Sequence, residues 1–259
     1  YGANPRESLV MGSTLNLDLD NHRIIFLASF NASLANNDAV GEVEFDSLAE
    51  AFDLTGSERD LAEKFVNFME STGFLTLSQG LSPLPNLAMR FETRLNYFNH
   101  NLHIAYKNID PNYSTPGNPY LQRGIAGLFI TDNIRLISNQ VFLNLYFKSY
   151  EDNLSQEEAK TSNTDIGATI SYFPFQNLPS ITLMYGNQTR KNDIDTVQSV
   201  YYAEDNTTRR IMLSSSYDFL TAGLKNTATF SISNFVRDDA VRATNQSEFT
   251  LYSIGLRNR

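Results

Sequence analysis

From Arg23 to Arg259 the chain repeats one unit, roughly ten residues of alternating apolar and polar side chains followed by a break. Alternation with a period of two sends apolar side chains to one face of a strand and polar ones to the other. The clearest instance sets Leu87, Met89, Phe91, Leu95 and Tyr97 against Arg90, Glu92, Arg94 and Asn96. The breaks follow a second rhythm, one short and the next long. Together the two rhythms confine the chain to an antiparallel, all-β fold whose neighbours in sequence are neighbours in space.

The pattern begins in a weaker form at Leu9–Leu19 and recurs through Ile24–Ala32, Leu102–Tyr106, Ala126–Leu136, Val141–Phe147 and Ile166–Tyr172. It continues through Ile181–Tyr185, Ile211–Tyr217, Ala228–Val236 and Thr250–Leu256, with Asp132 interrupting the apolar face of its strand. Short breaks fall at Asp20-Asn21-His22, Asn99-His100-Asn101 and Ser138-Asn139-Gln140, at the prolines 174 and 179, and near 218–226. The long connections are roughly 35–86, 108–123, 150–163, 187–206 and 238–246, rich in Asn, Asp, Gly and Pro.

Strands of this length, joined alternately by tight turns and long loops, predict an up-and-down transmembrane β-barrel. A soluble sandwich has no reason to sort its connections by length. About eleven strands are visible as a single domain over 1–259. Barrels of one chain normally carry an even number, so the complete protein is expected to have twelve or more, with strand sequence before Tyr1.

Composition removes other classes. No run approaches the roughly 18 consecutive apolar residues of a spanning helix, and the mean hydropathy is −0.31. Cysteine is absent, which excludes disulfides and thiolate metal sites. The formal net charge of −9 argues against a nucleic-acid partner, which demands a basic face. Phe and Tyr number 18 and 13 and Trp is absent, so any interfacial girdle would be built from the first two.

The connection 35–86 breaks the strand pattern. Thr55–Glu58 and Ser57–Asp60 have capping-box spacing, Leu61, Phe65, Phe68 and Met69 recur at helical spacing, and Gly73 ends the run. A short amphipathic helix is expected over about 57–72. Three placements are open: on its own loop outside the barrel, inside the lumen as a partial plug, or against a partner or membrane surface. Acids from Asp38 to Glu63 crowd the same loop against a single base, Arg59. This is a solvated run or an acidic pore mouth, and it lacks EF-hand spacing.

No catalytic signature is present. His22 and His100 fall in turns and His103 lies just inside a strand, with no sheltered serine–acid partner for any of them. The spacing His100-x-x-His103 on a turn and strand lacks the usual metal-site geometry. No catalytic residue, metal or cofactor is therefore assigned. The functional candidates are the charged residues of the polar face, Arg90, Glu92, Arg94, Lys107, Lys148 and Arg237. They would either tune solute selectivity in a lumen or brace it as pairs. The lipid-facing candidates are Phe91, Leu95, Leu143, Leu145, Phe147, Phe230 and Ile232.

The final segment, Phe249–Arg259, resembles the terminal strand read by the barrel-assembly machinery of Gram-negative bacteria, although that signal normally finishes on an aromatic residue. The segments Tyr106–Tyr113 and Gly117–Tyr120 are similar to a loop of large barrels in the same class. The chain as a whole resembles outer-membrane β-barrel proteins. That resemblance implies an outer-membrane location, lipid and the assembly machinery as partners, and no catalytic residue. The expected function is a non-enzymatic pore or a component of a transport or export assembly. The alternatives are a plugged barrel that anchors protein partners through its long loops, and a soluble all-β binding module.

Overall fold

The computed structural model describes residues 7–36, 43–73, 78, 81, 85–115, 117–118, 120–152, 160–175, 178–194 and 202–258. Its strands are β1 (Glu7–Leu19), β2 (Ile24–Asn36), β3 (Asn86–Tyr97), β4 (His100–Ile109), β5 (Ile125–Leu136) and β6 (Val141–Asp152). They continue as β7 (Thr161–Tyr172), β8 (Ser180–Asn192), β9 (Asp205–Thr221), β10 (Leu224–Asp239) and β11 (Ser247–Asn258). Two helices, α1 (Phe45–Ala51) and α2 (Gly56–Thr72), lie between β2 and β3. All eleven strands form one sheet in sequence order, an up-and-down meander whose edges are β1 and β11. The expectation of an antiparallel meander is met; closure is not, because the two edges do not pair with each other.

The short turns are as tight as the alternation requires. Asp20, Asn21 and His22 are left-handed at φ 51°, 52° and 66°, a region that Asn and Asp tolerate better than most residues. The next turn is centred on Phe98 and Asn99, so His100 and Asn101, expected in the turn, already belong to β4. The break expected over 218–226 contracts to Ala222 and Gly223, both at positive φ, as a two-residue hairpin turn demands.

The long loops also contract, because the strands run past the end of the alternation. Gln188, Thr189, Arg190 and Lys191 stay in register with Thr208, Thr207, Asn206 and Asp205, leaving 193–204 as the connection instead of 187–206. Polar side chains on both faces erase the period-two signal, but backbone pairing does not need it. Flanking ion pairs, Lys191–Asp205 at 3.6 Å and Arg209–Asp238 at 3.5 Å, hold the extensions together.

The chain divides into two compact units. One comprises 1–15, 28–90 and 108–124 and contains both helices. Its core is small: Ala49, Leu54 and Ala62 bury one another beside Phe45, and Leu34 and Leu81 pack with Leu9 and Phe65. The helix expected at 57–72 is found at Gly56–Thr72, and α1 is an addition that the sequence pattern missed. The other unit comprises 16–27, 91–107 and 125–259 and holds β5–β11 entire. It is a sheet with two chemically distinct faces.

Candidate functional site

The polar face of the second unit carries the charged candidates Glu92, Arg94, Lys107, Lys148 and Arg237, while Arg90 belongs to the first unit. Glu92 is 4% exposed. Arg94 Nη2 lies 3.9 Å and His103 Nε2 3.6 Å from its carboxylate. Arg90 takes the same side of β3 by alternation. Lys148 Nζ sits 3.6 Å from Asp165, its register partner on β7. Arg190 lies between Asp152 at 3.7 Å and Glu204, and Arg237 lies 3.7 Å from Asp239. Asp239 also caps the loop that follows, accepting from the amides of Val241 and Arg242 at 3.1 and 2.8 Å.

Aromatic rings on this face hold cations in place. Lys107 Nζ lies 5.1 Å above the Phe129 ring, which stacks on Tyr150 at 5.7 Å. Arg210 covers Phe235 at 5.9 Å, and Phe235 stacks on Phe249 at 5.0 Å. Each such cation–ring contact contributes about 0.5–1 kcal/mol when exposed. Tyr146 lies across its register partner Gly167 toward Gly186. A Cβ on Gly167 would sit 2.5 Å from the Tyr146 ring, so glycine is what lets the ring lie flat there.

Toward the short turns the same face changes to uncharged amides and hydroxyls. Asn96 bonds Asn101, Asn144 Nδ2 donates to Asn133 Oδ1 at 2.6 Å, and Ser171 pairs with Thr182 at 3.0 Å. Asn96, Asn101, Asn133, Asn144 and Ser171, with Arg135 at their margin, line a shallow depression across β3–β7. A ladder of this kind presents donors and acceptors to water or a hydrated solute without fixed charge.

In the first unit, two long connections flank β2 on opposite sides. Phe65 of α2 and Leu9 of β1 both pack on the cluster of Leu34 and Leu81, and Leu9 and Leu34 take the apolar side by alternation. Ser78 Oγ donates to Asn36 Oδ1 at 2.8 Å on that side as well. Ser33 points the other way, and its Oγ accepts from the Ser114 amide at 3.0 Å. Tyr113 beside it is buried, which pushes its phenol above the ordinary value. The helix therefore does not occupy the polar side of β2. Of the three placements left open for the helix, the one found lies away from the polar side of β2, where the connection after β4 packs instead. The acidic run remains in part, with Arg59 pairing Asp46 at 2.7 Å; Asp38 and Glu42 lie outside the described residues.

The apolar candidates Phe91, Leu95, Leu143, Leu145, Phe147, Phe230 and Ile232 all take the opposite face from the charged ones. Register puts Leu145 beside Ala168, Phe147 beside Ile166, Phe230 beside Ile254 and Ile232 beside Tyr252. The histidines separate by the same rule. His100 bonds Asp132 at 2.8 Å on the apolar side, while His103 faces Glu92 on the polar side. Three residues apart on a strand means opposite faces, so the two rings cannot share a metal. Among the described residues no His, Cys, Asp and Glu group has the form of a metal site.

Sequence reasoning missed the ring partners of Lys107 and Arg210, since only strand register brings them together. It also missed the glycine track under Tyr146, although the Gly167 and Gly186 spacing was visible. No protein-family model matches the chain, and a search of curated proteins finds no match.

Proposed function

We propose that this chain is a non-enzymatic outer-membrane β-barrel protein that acts as a pore or as a component of a transport or export assembly. The observation that carries the reading is the apolar face of β5–β11. Side chains such as Ile170, Leu183, Leu213, Phe230 and Ile254 are exposed along it, and all eleven strands belong to one sheet, so among the described residues no second sheet covers it. A contiguous apolar surface of that kind suits lipid and is a liability in water. The strands, 10 to 17 residues long, match or exceed the roughly 9–11 that a tilted membrane strand needs. No described helix is long and apolar enough to cross a membrane, so crossing falls to strands.

The short turns point the same way. Phe98 is 91% exposed and Ile137 67% exposed, and both sit at φ 51°, where a bulky side chain is strained by roughly 1–2 kcal/mol. In water Asn or Gly would serve better at both positions. Insertion of the side chains into a lipid interface offsets that strain, and Phe173, Phe175 and Leu220 at neighbouring turns are exposed as well. In lipid the ladders of β1 and β11 both need partners.

The plugged-scaffold reading has one specific support, the Ser114–Ser33 bond that draws the connection after β4 onto the polar side of β2. Planar-bilayer recording of the refolded chain separates the two. Discrete conductance steps are expected of a pore. Stable membrane insertion without conductance would overturn the pore and favour the scaffold, and a chain that stays monodisperse in buffer without detergent would overturn both.

A further inference from the structure

We infer that the polar face of β3–β11 is selective for anions, so that the solutes passing along it are small anions; this rests on the pore reading above. The inference comes from which charges are compensated. On that face Glu92, Asp152, Asp165, Asp218 and Asp239 each lie beside a cation: Arg94, Arg190, Lys148, Lys225 and Arg237, at 3.1 to 3.9 Å. The reverse is not true. Lys107, Arg135, Arg210 and Arg257 take the same face by alternation, and none of them pairs with an acid among the described residues.

Two of these cations are held but not neutralised. Lys107 rests on Phe129 and Arg210 on Phe235, and a ring positions a cation without removing its charge. Lys107 and Arg210 stand toward the long-loop end, Arg135 and Arg257 at the short-turn end. A solute travelling along the face thus meets uncompensated positive charge at both ends, while each acid of the face among the described residues lies beside a cation, Asp152 and Glu204 sharing Arg190. The band between is the amide and hydroxyl ladder, which can hydrate an ion of either sign. The surplus is opposite in sign to the chain as a whole, whose net charge is −9. Fixed charge lining a pore raises the local concentration of its counter-ion, an effect that added salt screens.

The test is the reversal potential of the refolded chain in planar bilayers under a KCl gradient. Chloride preference is expected, strongest at low salt. A unit charge about 10 Å from a permeating ion changes its local concentration about twofold in water. Because that charge raises the anion and lowers the cation by the same factor, the double variant Lys107→Gln/Arg210→Gln should lower the chloride-to-potassium permeability ratio about sixteenfold at low ionic strength. Lys107→Arg should leave the ratio as it was, and so should Lys191→Gln on the opposite face. If the double variant does not insert, Arg135→Gln, which no paired group holds, should lower the ratio about fourfold. Potassium preference in the native channel, or an unchanged ratio in the conducting variants, would overturn the anion inference alone. Absence of any conductance would overturn the pore reading, and the inference with it.

Discussion

Gly167→Ala tests the geometry of the polar face with the least chemistry changed. Its Cβ would lie 2.5 Å from Cε1 and Cζ of Tyr146 and 2.6 Å from Oη. Ordinary carbon contacts lie at about 3.5–4.0 Å, so the ring must retreat by about 1 Å. Retreat over Gly186 is limited at the far end, where Oη already lies 3.1 Å from an ideal Cβ position. Overpacking of this kind costs about 1–3 kcal/mol. The double-mutant cycle with Tyr146→Ala reverses the sign: without the ring, Ala in a strand interior is preferred to Gly by about 0.5–1 kcal/mol. The expected coupling is then about 1.5–4 kcal/mol. The chain has no Trp, so urea unfolding in micelles is best followed by far-UV circular dichroism. Additive effects, within about 0.5 kcal/mol, would refute the placement of the Tyr146 ring over Gly167.

Neighbouring residues of β6 should respond in opposite ways. Leu143→Arg is expected to cost about 2–4 kcal/mol in a bilayer if that face meets lipid. Asn144→Arg, which loses the bond to Asn133, should cost only about 0.5–1.5 kcal/mol, and equal costs would contradict the assignment of faces. Phe65→Ala should free α2 from the Leu34–Leu81 cluster, seen as faster proteolysis within 56–72 with no change in the strand signal. Global unfolding instead would mean that the helix is part of the sheet's main core. Burial holds the Tyr113 phenol above its ordinary value of 10.0. Its contribution to loop anchoring should be constant below about pH 10 and be lost as pH rises toward the folded value, since the unfolded phenol ionises first. Ser33→Ala should not shift that alkaline transition if the phenol alone sets it, and spectrophotometric titration of the variant measures this.

Strand order, turn positions and the sorting of side chains between faces were legible because each depends on nothing but parity along one strand. Parity alone puts Glu92 and Leu95 on opposite faces, and His100 and His103 likewise. Loop lengths were misread where parity loses contrast: β8 and β9 run on through Arg190, Lys191, Asp205 and Asn206 with polar groups on both sides. The helix α1, seven residues long, is shorter than two turns and too brief to establish a helical period. The side of β2 on which α2 lies depends on Phe65 meeting Leu34, a contact between positions far apart in sequence that no local pattern encodes.

The charge of the polar face shows most plainly where legibility ends. Net charge sums over the whole chain, and the connection 37–85, with ten acids against Arg59 and Lys64, accounts for most of the −9. Alternation then assigns strand charges to faces, which is still readable from sequence. Whether a given cation is cancelled depends on what stands across the register. Lys148 meets Asp165 and is compensated, whereas Lys107 meets the Phe129 ring and is not. The two lysines are indistinguishable in their own strands, each placed among alternating apolar neighbours. Any selectivity along this face is therefore a property of strand pairing, and exchanging the partner should transfer it: Asp165→Asn would release Lys148 and strengthen the preference for anions.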